Sequence, residues 1–256
     1  MTTRRLEDFR RYLHAAYIDL RLFVTGKNEP DLPPLRLRDV GAGDFRRIGE
    51  ELAALLVRHG LKPEHRVLDI GCGVGRVALP LTRVLTSGTY DGFDIVKRWI
   101  RWCRRHITPA HPNFRFTHAN IFNSHYNRVG VPASQFRFPY ADASFDFAFA
   151  TSVFTHLDLE SARHYLREAH RVLRPGGTLL ATFFLFDDTV ASPALDFNVD
   201  RGSYRLLSES DPDWAIAFDL AALADLLPNC TIERGGWRNQ GGEQFQDVVV
   251  VRNATD

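Results

Sequence analysis

Long apolar runs, one-sided charge, paired cysteines and lysine are all scarce or missing in this 256-residue chain, and each shortage excludes something. The N-terminal stretch MTTRRLEDFRRYLHAAYIDLRLFV places charges in every turn and offers no uninterrupted apolar segment, so neither a secretory signal nor a membrane span is expected there. Its three cysteines, Cys72, Cys103 and Cys230, are far apart and form no CxxC pair. A disulfide framework and a cysteine zinc site are thereby disfavoured, and a reducing, cytoplasmic setting is the expectation. The 32 basic and 31 acidic residues leave a formal charge of +1, too little to attract nucleic acid or an anionic membrane surface except through a local patch. Only Lys27, Lys62 and Lys97 are lysines and the other 29 basic residues are arginine, a bias that genome composition alone can produce. No repeat, low-complexity tract or clear linker interrupts the chain, and 45% hydrophobic with 25% charged residues suits an ordinary globular core.

Residues 4–24 repeat apolar side chains at helical intervals (Leu6, Phe9, Leu13, Ala16, Tyr17, Leu20), and 45–59 form a second helix closed by Gly60. Thereafter β-rich runs at 66–70, 89–94, 113–119, 145–151 and 177–185 alternate with helical patterns at 75–85, 96–107 and 158–173. Parallel strands need long crossovers, so the alternation predicts a doubly wound α/β sheet. A helix near 219–227 and strands at 230–234 and 244–251 then suggest an antiparallel hairpin at the sheet edge. A single domain is expected over 1–256, with helices in 1–60, a ligand-binding core in 61–186, a substrate-side insertion or lid in 187–218, and a closing helix and hairpin in 219–256. The connections 121–137 and 187–218 exceed the usual 4–6 residues or so and are expected to enclose a ligand.

The strongest chemical signal is VLDIGCGVGR, residues 67–76. An apolar strand carries Asp69 and runs into Gly71, Gly73 and Gly75, whose spacing lets a ligand approach the backbone beside a helix N-terminus. The next strand ends nineteen residues later at Asp94, where a carboxylate can accept both hydroxyls of a ribose. Singly, the glycines could tighten a turn, Asp69 could be a buried acceptor and Asp94 could cap a helix; together, in order on consecutive strand ends, they favour a nucleoside ligand. The GxGxG spacing differs from the GxGxxG of dinucleotide binders, which leaves a nicotinamide oxidoreductase as the weaker rival.

With FPYADASFDFAFATSVFTH at 138–156 and EAHRVLRPGGTLLATFF at 168–184, this series resembles the class I S-adenosylmethionine (SAM) dependent methyltransferases over residues 48–251. The resemblance implies a seven-stranded, mostly parallel sheet with a reversed C-terminal strand. It also implies a site for SAM, and for its product S-adenosylhomocysteine, built from Asp69, Gly71, Cys72, Gly73, Gly75, Asp94, Ile95, Asn120, Ile121 and Thr151. Asn120 stands where the family usually has an acid, and it keeps an acceptor for a neutral base. The Arg174-Pro175-Gly176-Gly177 step reads chiefly as a helix stop and strand entry.

Methyl transfer from a sulfonium is an in-line displacement governed by positioning, and a hydroxyl acceptor additionally needs a base. His156, just past the fourth strand, is the catalytic candidate, with a helix cap as its alternative role. His118 reads as a core histidine. His125 and Tyr126 in the first long connection, with Asp187 and Asp188 in the second, are the candidate acceptor contacts. Acids and aromatics in 187–218, including Asp196, Asp200, Phe197, Tyr204 and Trp214, would suit a carbohydrate-like acceptor. Asp158 with Asp187 and Asp188 is the sole plausible metal set, and no metal is expected. The run KRWIRWCRRH at 97–106 interleaves arginine with tryptophan, yet helical spacing separates the two onto different faces, so no nucleic-acid partner is expected. The function implied is O-methylation of a small or glycan acceptor, against N-methylation of a small molecule, protein or RNA, or a non-catalytic SAM-binding protein.

Overall fold

In the computed structural model, residues 3–38, 43–124, 126–187, 195–227, 230–238 and 245–253 are described. Five parallel strands form the centre in the order β3-β2-β1-β4-β5: β1 Arg66–Ile70, β2 Thr89–Asp94, β3 Phe114–His118, β4 Phe145–Ala150 and β5 Leu173–Phe186. All six side chains of β4 are buried, as a strand covered on both faces requires. Successive residues of β1 serve opposite cores. Val67 joins Leu52, Leu56, Trp99 and Phe149 on one face, and Leu68 joins Tyr165, Ala169 and Phe183 on the other.

Helix α2 (Phe45–Arg58) and α4 (Lys97–His106) cover the first face, and α5 (Leu159–Val172) the second. Aspartates start two of them: Asp44 accepts the Arg47 N–H at 2.9 Å, and Asp158 accepts the Ser161 N–H at 2.7 Å. Helix α1 (Thr3–Val24) is tied down by Asp19, which accepts the Leu35 N–H at 2.6 Å and pairs with Arg36 at 2.9 Å. Its stripe of Phe9, Leu13, Tyr17 and Leu20 stays exposed.

The antiparallel edge is as expected: β10 (Phe245–Arg252) runs against β5, and β9 (Thr231–Arg238) against β10, after the short helix α6 (Leu220–Leu226). Two local expectations fail. The helix anticipated over 75–85 contracts to α3, Ala78–Leu81, flanked by turns; Pro80 has no N–H to donate and is tolerated only in a helix's first turn. Within 187–218, read as a loop, stand β6 (Val199–Asp200) and β7 (Tyr204–Leu206), and β8 (Ile216–Asp219) begins there and ends one residue beyond it, pairing in parallel with Phe184–Phe186 of β5. Pieces of two to four residues are too short to display a two-residue alternation. Among the described residues, no helix is long and apolar enough to cross a membrane.

Candidate active site

The chain leaves β1 through a turn whose backbone is spent on β2: the N–H groups of Gly71 and Cys72 both donate to the Phe93 carbonyl, at 2.9 and 3.0 Å. Gly71 (φ +76°) is pressed by the exit of β4, since a Cβ there would lie 2.5 Å from Val153 Cγ2. Gly73 (φ +56°) faces open space, with nothing within 4 Å of a built Cβ. One glycine thus serves close packing and the other leaves the backbone accessible to a ligand. Gly75 continues the turn by donating its N–H to the Cys72 carbonyl at 3.1 Å. Because α3 is so short, the cradle consists of the turn itself rather than a helix N-terminus.

Asp94, at the tip of β2, is buried and clamps this turn. Its Oδ2 accepts the Gly73 N–H at 2.9 Å and its Oδ1 the Val96 N–H at 2.8 Å. Asp94 thus serves the helix start and the glycine turn at once.

Asp69 is 1% exposed, and its Oδ2 accepts the Tyr90 hydroxyl. Oδ1 is buried with no hydrogen-bond partner among the described residues. Burial pushes its carboxyl up to about 8; the Tyr90 bond pulls the other way, the Asp94 charge adds to the rise, and Arg76 opposes it. A buried acceptor without a donor beside an open glycine turn fits the ammonium end of the cofactor implied by the sequence. Arg76, itself lowered by burial, borders a cavity of about 290 Å³ lined also by Leu32, Leu35, Arg38 and Phe45.

At the end of β3, Ile121 is buried while Asn120 is exposed and accepts the Asn127 side-chain amide at 3.1 Å. Backbone bonds from Phe122 N–H to the Val131 carbonyl (2.8 Å) and from Val131 N–H to the Asn120 carbonyl (3.0 Å) fold the following connection back on itself. Ile95 packs against both cores, and its carbonyl accepts from His118 Nε2 at 3.2 Å. His118 is thereby a tied structural residue.

Thr151 is half-buried at the exit of β4. Next to it, Ser152 adopts φ +57°, a left-handed conformation rare outside glycine. It is held there by its N–H to Thr182 Oγ1 at 2.8 Å and by its hydroxyl against the Gln246 amide at 3.0 Å. Strain fixed by two neighbouring strands is a recurring mark of functional turns.

His156 closes the turn Phe154–His156 after β4. Its Nδ1 lies 3.0 Å from the Asp213 carbonyl oxygen. A carbonyl only accepts, so Nδ1 carries the proton in the neutral imidazole and Nε2 carries the lone pair. The helix cap considered for His156 is instead Asp158. Asp213 also joins the two long connections, because its Oδ2 accepts both the N–H (3.2 Å) and the hydroxyl (2.6 Å) of Ser124. Tyr126 packs on the buried Trp99 with ring centroids 5.7 Å apart, and Asp187 is half-buried just past β5. His125 and Asp188 lie outside the described residues.

Asp213, Ser124, Ser152, Thr182 and Gln246 were not singled out from sequence; a serine before the notable turn and a polar Gln246 in an apolar strand carry no motif. Among the described residues no group of three or more His, Cys, Asp or Glu could hold a metal ion. On α4, Trp99 and Trp102 are buried while Arg98, Arg101, Arg104 and Arg105 face outward.

Residues 68–181 match the family model described as "Methyltransferase domain". The chain is 34% identical to the 27-O-demethylrifamycin SV methyltransferase of Amycolatopsis mediterranei over 60% of its own length and 50% of that protein's. It is 32% identical to the fatty-acid O-methyltransferase of Mycolicibacterium smegmatis over 76% of its own length and 58% of that protein's. The chain therefore spans only half to three fifths of these two relatives. In fold it is similar to the Burkholderia thailandensis 1,6-didemethyltoxoflavin-N1-methyltransferase, at 19% identity and a TM-score of 0.56, covering 98% of this chain and 90% of that one. The order of the strands, the Asp69 to Gly75 turn with Asp94 at the next strand tip, and the match over 68–181 agree: residues 68–181 match a methyltransferase domain, and the fold is the Rossmann-like one of the class I methyltransferases.

Proposed function

We propose that the protein transfers the methyl group of SAM to a hydroxyl of a small acceptor, with His156 as the base. The observation that carries this reading is the His156 imidazole, whose Nδ1 is held by the Asp213 carbonyl so that the lone pair falls on Nε2. When bound, the cofactor supplies an electrophilic sulfonium methyl. Asp69 and Gly73 would hold its amino-acid end and Asp94 its ribose, with Ile95 and the Asn120–Ile121 step lining the adenine. His156 Nε2 would take the hydroxyl proton as the new O–C bond forms. The connections 121–137 and 187–218 would exclude water, which strengthens both the displacement and the proton transfer.

Two relatives act on oxygen by name, a rifamycin 27-O-demethyl compound and a fatty acid, which supports a hydroxyl or carboxyl acceptor. The carbohydrate-like version loses part of its basis, since Phe197 is buried against Phe184 and Tyr204 packs on Phe218. A nitrogen acceptor would need no base at Nε2. The test is turnover of methyl-labelled SAM with the best acceptor from a panel of hydroxylated small molecules. His156→Ala should lower kcat by about 10²–10⁴-fold with cofactor affinity unchanged. Turnover near wild type by the folded variant would reject the base and move N-methylation ahead.

A further inference from the structure

Outside helix α1, six large apolar side chains are exposed among the described residues: Val57, Phe122, Tyr126, Val129, Val131 and Trp214. Five of the six lie on the two segments joined through Asp213, whose carbonyl holds the His156 imidazole. Phe122 (47% exposed), Tyr126, Val129 (73%) and Val131 belong to the connection after β3, and Trp214 follows Asp213. Scattered single apolar residues on a surface need no explanation, but a gathered set does.

These side chains stand on fastened backbone. Val131 accepts the Phe122 N–H and donates its own to the Asn120 carbonyl, Asn123 and Asn127 exchange two more backbone hydrogen bonds at 2.7 and 3.2 Å, and Ser124 is anchored on the Asp213 carboxylate. Two of the acids that a sugar could engage there are committed elsewhere. Asp213 is spent on Ser124, and Asp200 accepts the Gly202 N–H at 2.6 Å and faces Arg205. Exposed aliphatic and aromatic side chains thus stand on both segments that Asp213 joins, and the Asp213 carbonyl in turn holds the His156 imidazole.

Resting on the methyl-transfer reading above, we infer that the acceptor carries an apolar body, an alkyl chain or aromatic ring system, seated on Phe122, Val131 and Trp214 with its hydroxyl turned to His156. The chemistry that would recognise it is burial of hydrocarbon, with a single polar end at the reacting atom.

The test uses calorimetry on the full chain saturated with S-adenosylhomocysteine, titrated with 4-alkylphenols from ethyl to hexyl and, separately, with methyl glucoside. Affinity should rise roughly threefold to fourfold per added methylene, and the glucoside should give no saturable heat. Replacing exposed side chains by Val131→Ser and Trp214→Ser should flatten that series while S-adenosylhomocysteine binds as before. A flat series in the wild type, an undiminished slope in the double variant, or tighter binding of the glucoside would each overturn the apolar acceptor and leave methyl transfer standing. Failure of S-adenosylhomocysteine itself to bind would overturn the methyl-transfer reading and this inference with it.

Discussion

Protonation of Asp69 should govern cofactor affinity near neutral pH. An ordinary aspartate ionises near 3.8, and burial moves this one to about 8. At roughly 1.4 kcal/mol per tenfold ratio, forming the carboxylate in the folded, ligand-free protein costs ~5–6 kcal/mol more than in the unfolded chain. For stability the sign follows from linkage: the folded value is raised, so the contribution of Asp69 is complete below pH 3.8 and is lost progressively as pH climbs to about 8. For the cofactor the sign is opposite. An ammonium group at Oδ1 selects the carboxylate, so binding below pH 8 must expel the Asp69 proton. Kd should therefore fall nearly tenfold per pH unit, or roughly 50–100-fold between pH 6 and 8, levelling where the cofactor's own amino group, near 7.7–8.0 or so, begins to lose its proton. Calorimetry at pH 6 in phosphate and in a buffer of larger ionisation enthalpy should report close to one proton released per S-adenosylhomocysteine bound. Asp69→Asn should bind more weakly at pH 8, release no proton, and melt higher than wild type at pH 8 because the ionisation penalty is gone. A wild-type Kd unchanged from pH 6 to 8 without proton release, or an Asp69→Asn protein that keeps the slope, would refute the reasoning.

Three further perturbations separate the turn, its support and the core. Gly71→Ala puts a methyl 2.5 Å from Val153 Cγ2 at φ +76°, so chemical denaturation should show a loss of about 1–3 kcal/mol, with Val153→Ala restoring part of it. Gln246→Ala removes the partner of the Ser152 hydroxyl; stability should fall by about 1–2 kcal/mol, and kcat should fall with S-adenosylhomocysteine affinity nearly intact, because the β4 exit carries Val153 and His156. Phe147→Ala empties a fully buried position in the first core and should cost about 3–5 kcal/mol in urea titrations with no effect on the pH dependence of binding.

Strand periodicity and the glycine turn were legible because both depend on neighbours in sequence. An apolar strand must bury its faces wherever it lies, and the 67–76 segment carries its φ requirements in its own glycines. Arg174-Pro175-Gly176-Gly177 was read correctly as a strand entry, yet the structure draws it into β5, which starts at Leu173 opposite Phe145 and then shifts register so that Phe147 faces Thr178. The sequence shows turn residues there and has no means of showing that a neighbouring strand keeps pairing across them.

Pairing of His156, the proposed base, lay further out of reach. His156 stood out as a histidine past a strand end, but what fixes its tautomer is the backbone carbonyl of Asp213, 57 residues away. Any residue type supplies a carbonyl, so no pattern of side chains could mark it. Asp213 is informative only through its carboxylate, which ties Ser124 and so holds the two long connections together. Identity in the glycine turn and position in the acceptor site thus follow different rules. The cofactor half needs particular residues at particular spacings, because a ribose and an ammonium demand fixed acceptors. The proposed acceptor half would need a carbonyl, a folded-back connection and apolar surface, which many sequences can provide, so such a half could change its ligand while the cofactor motif stays in place.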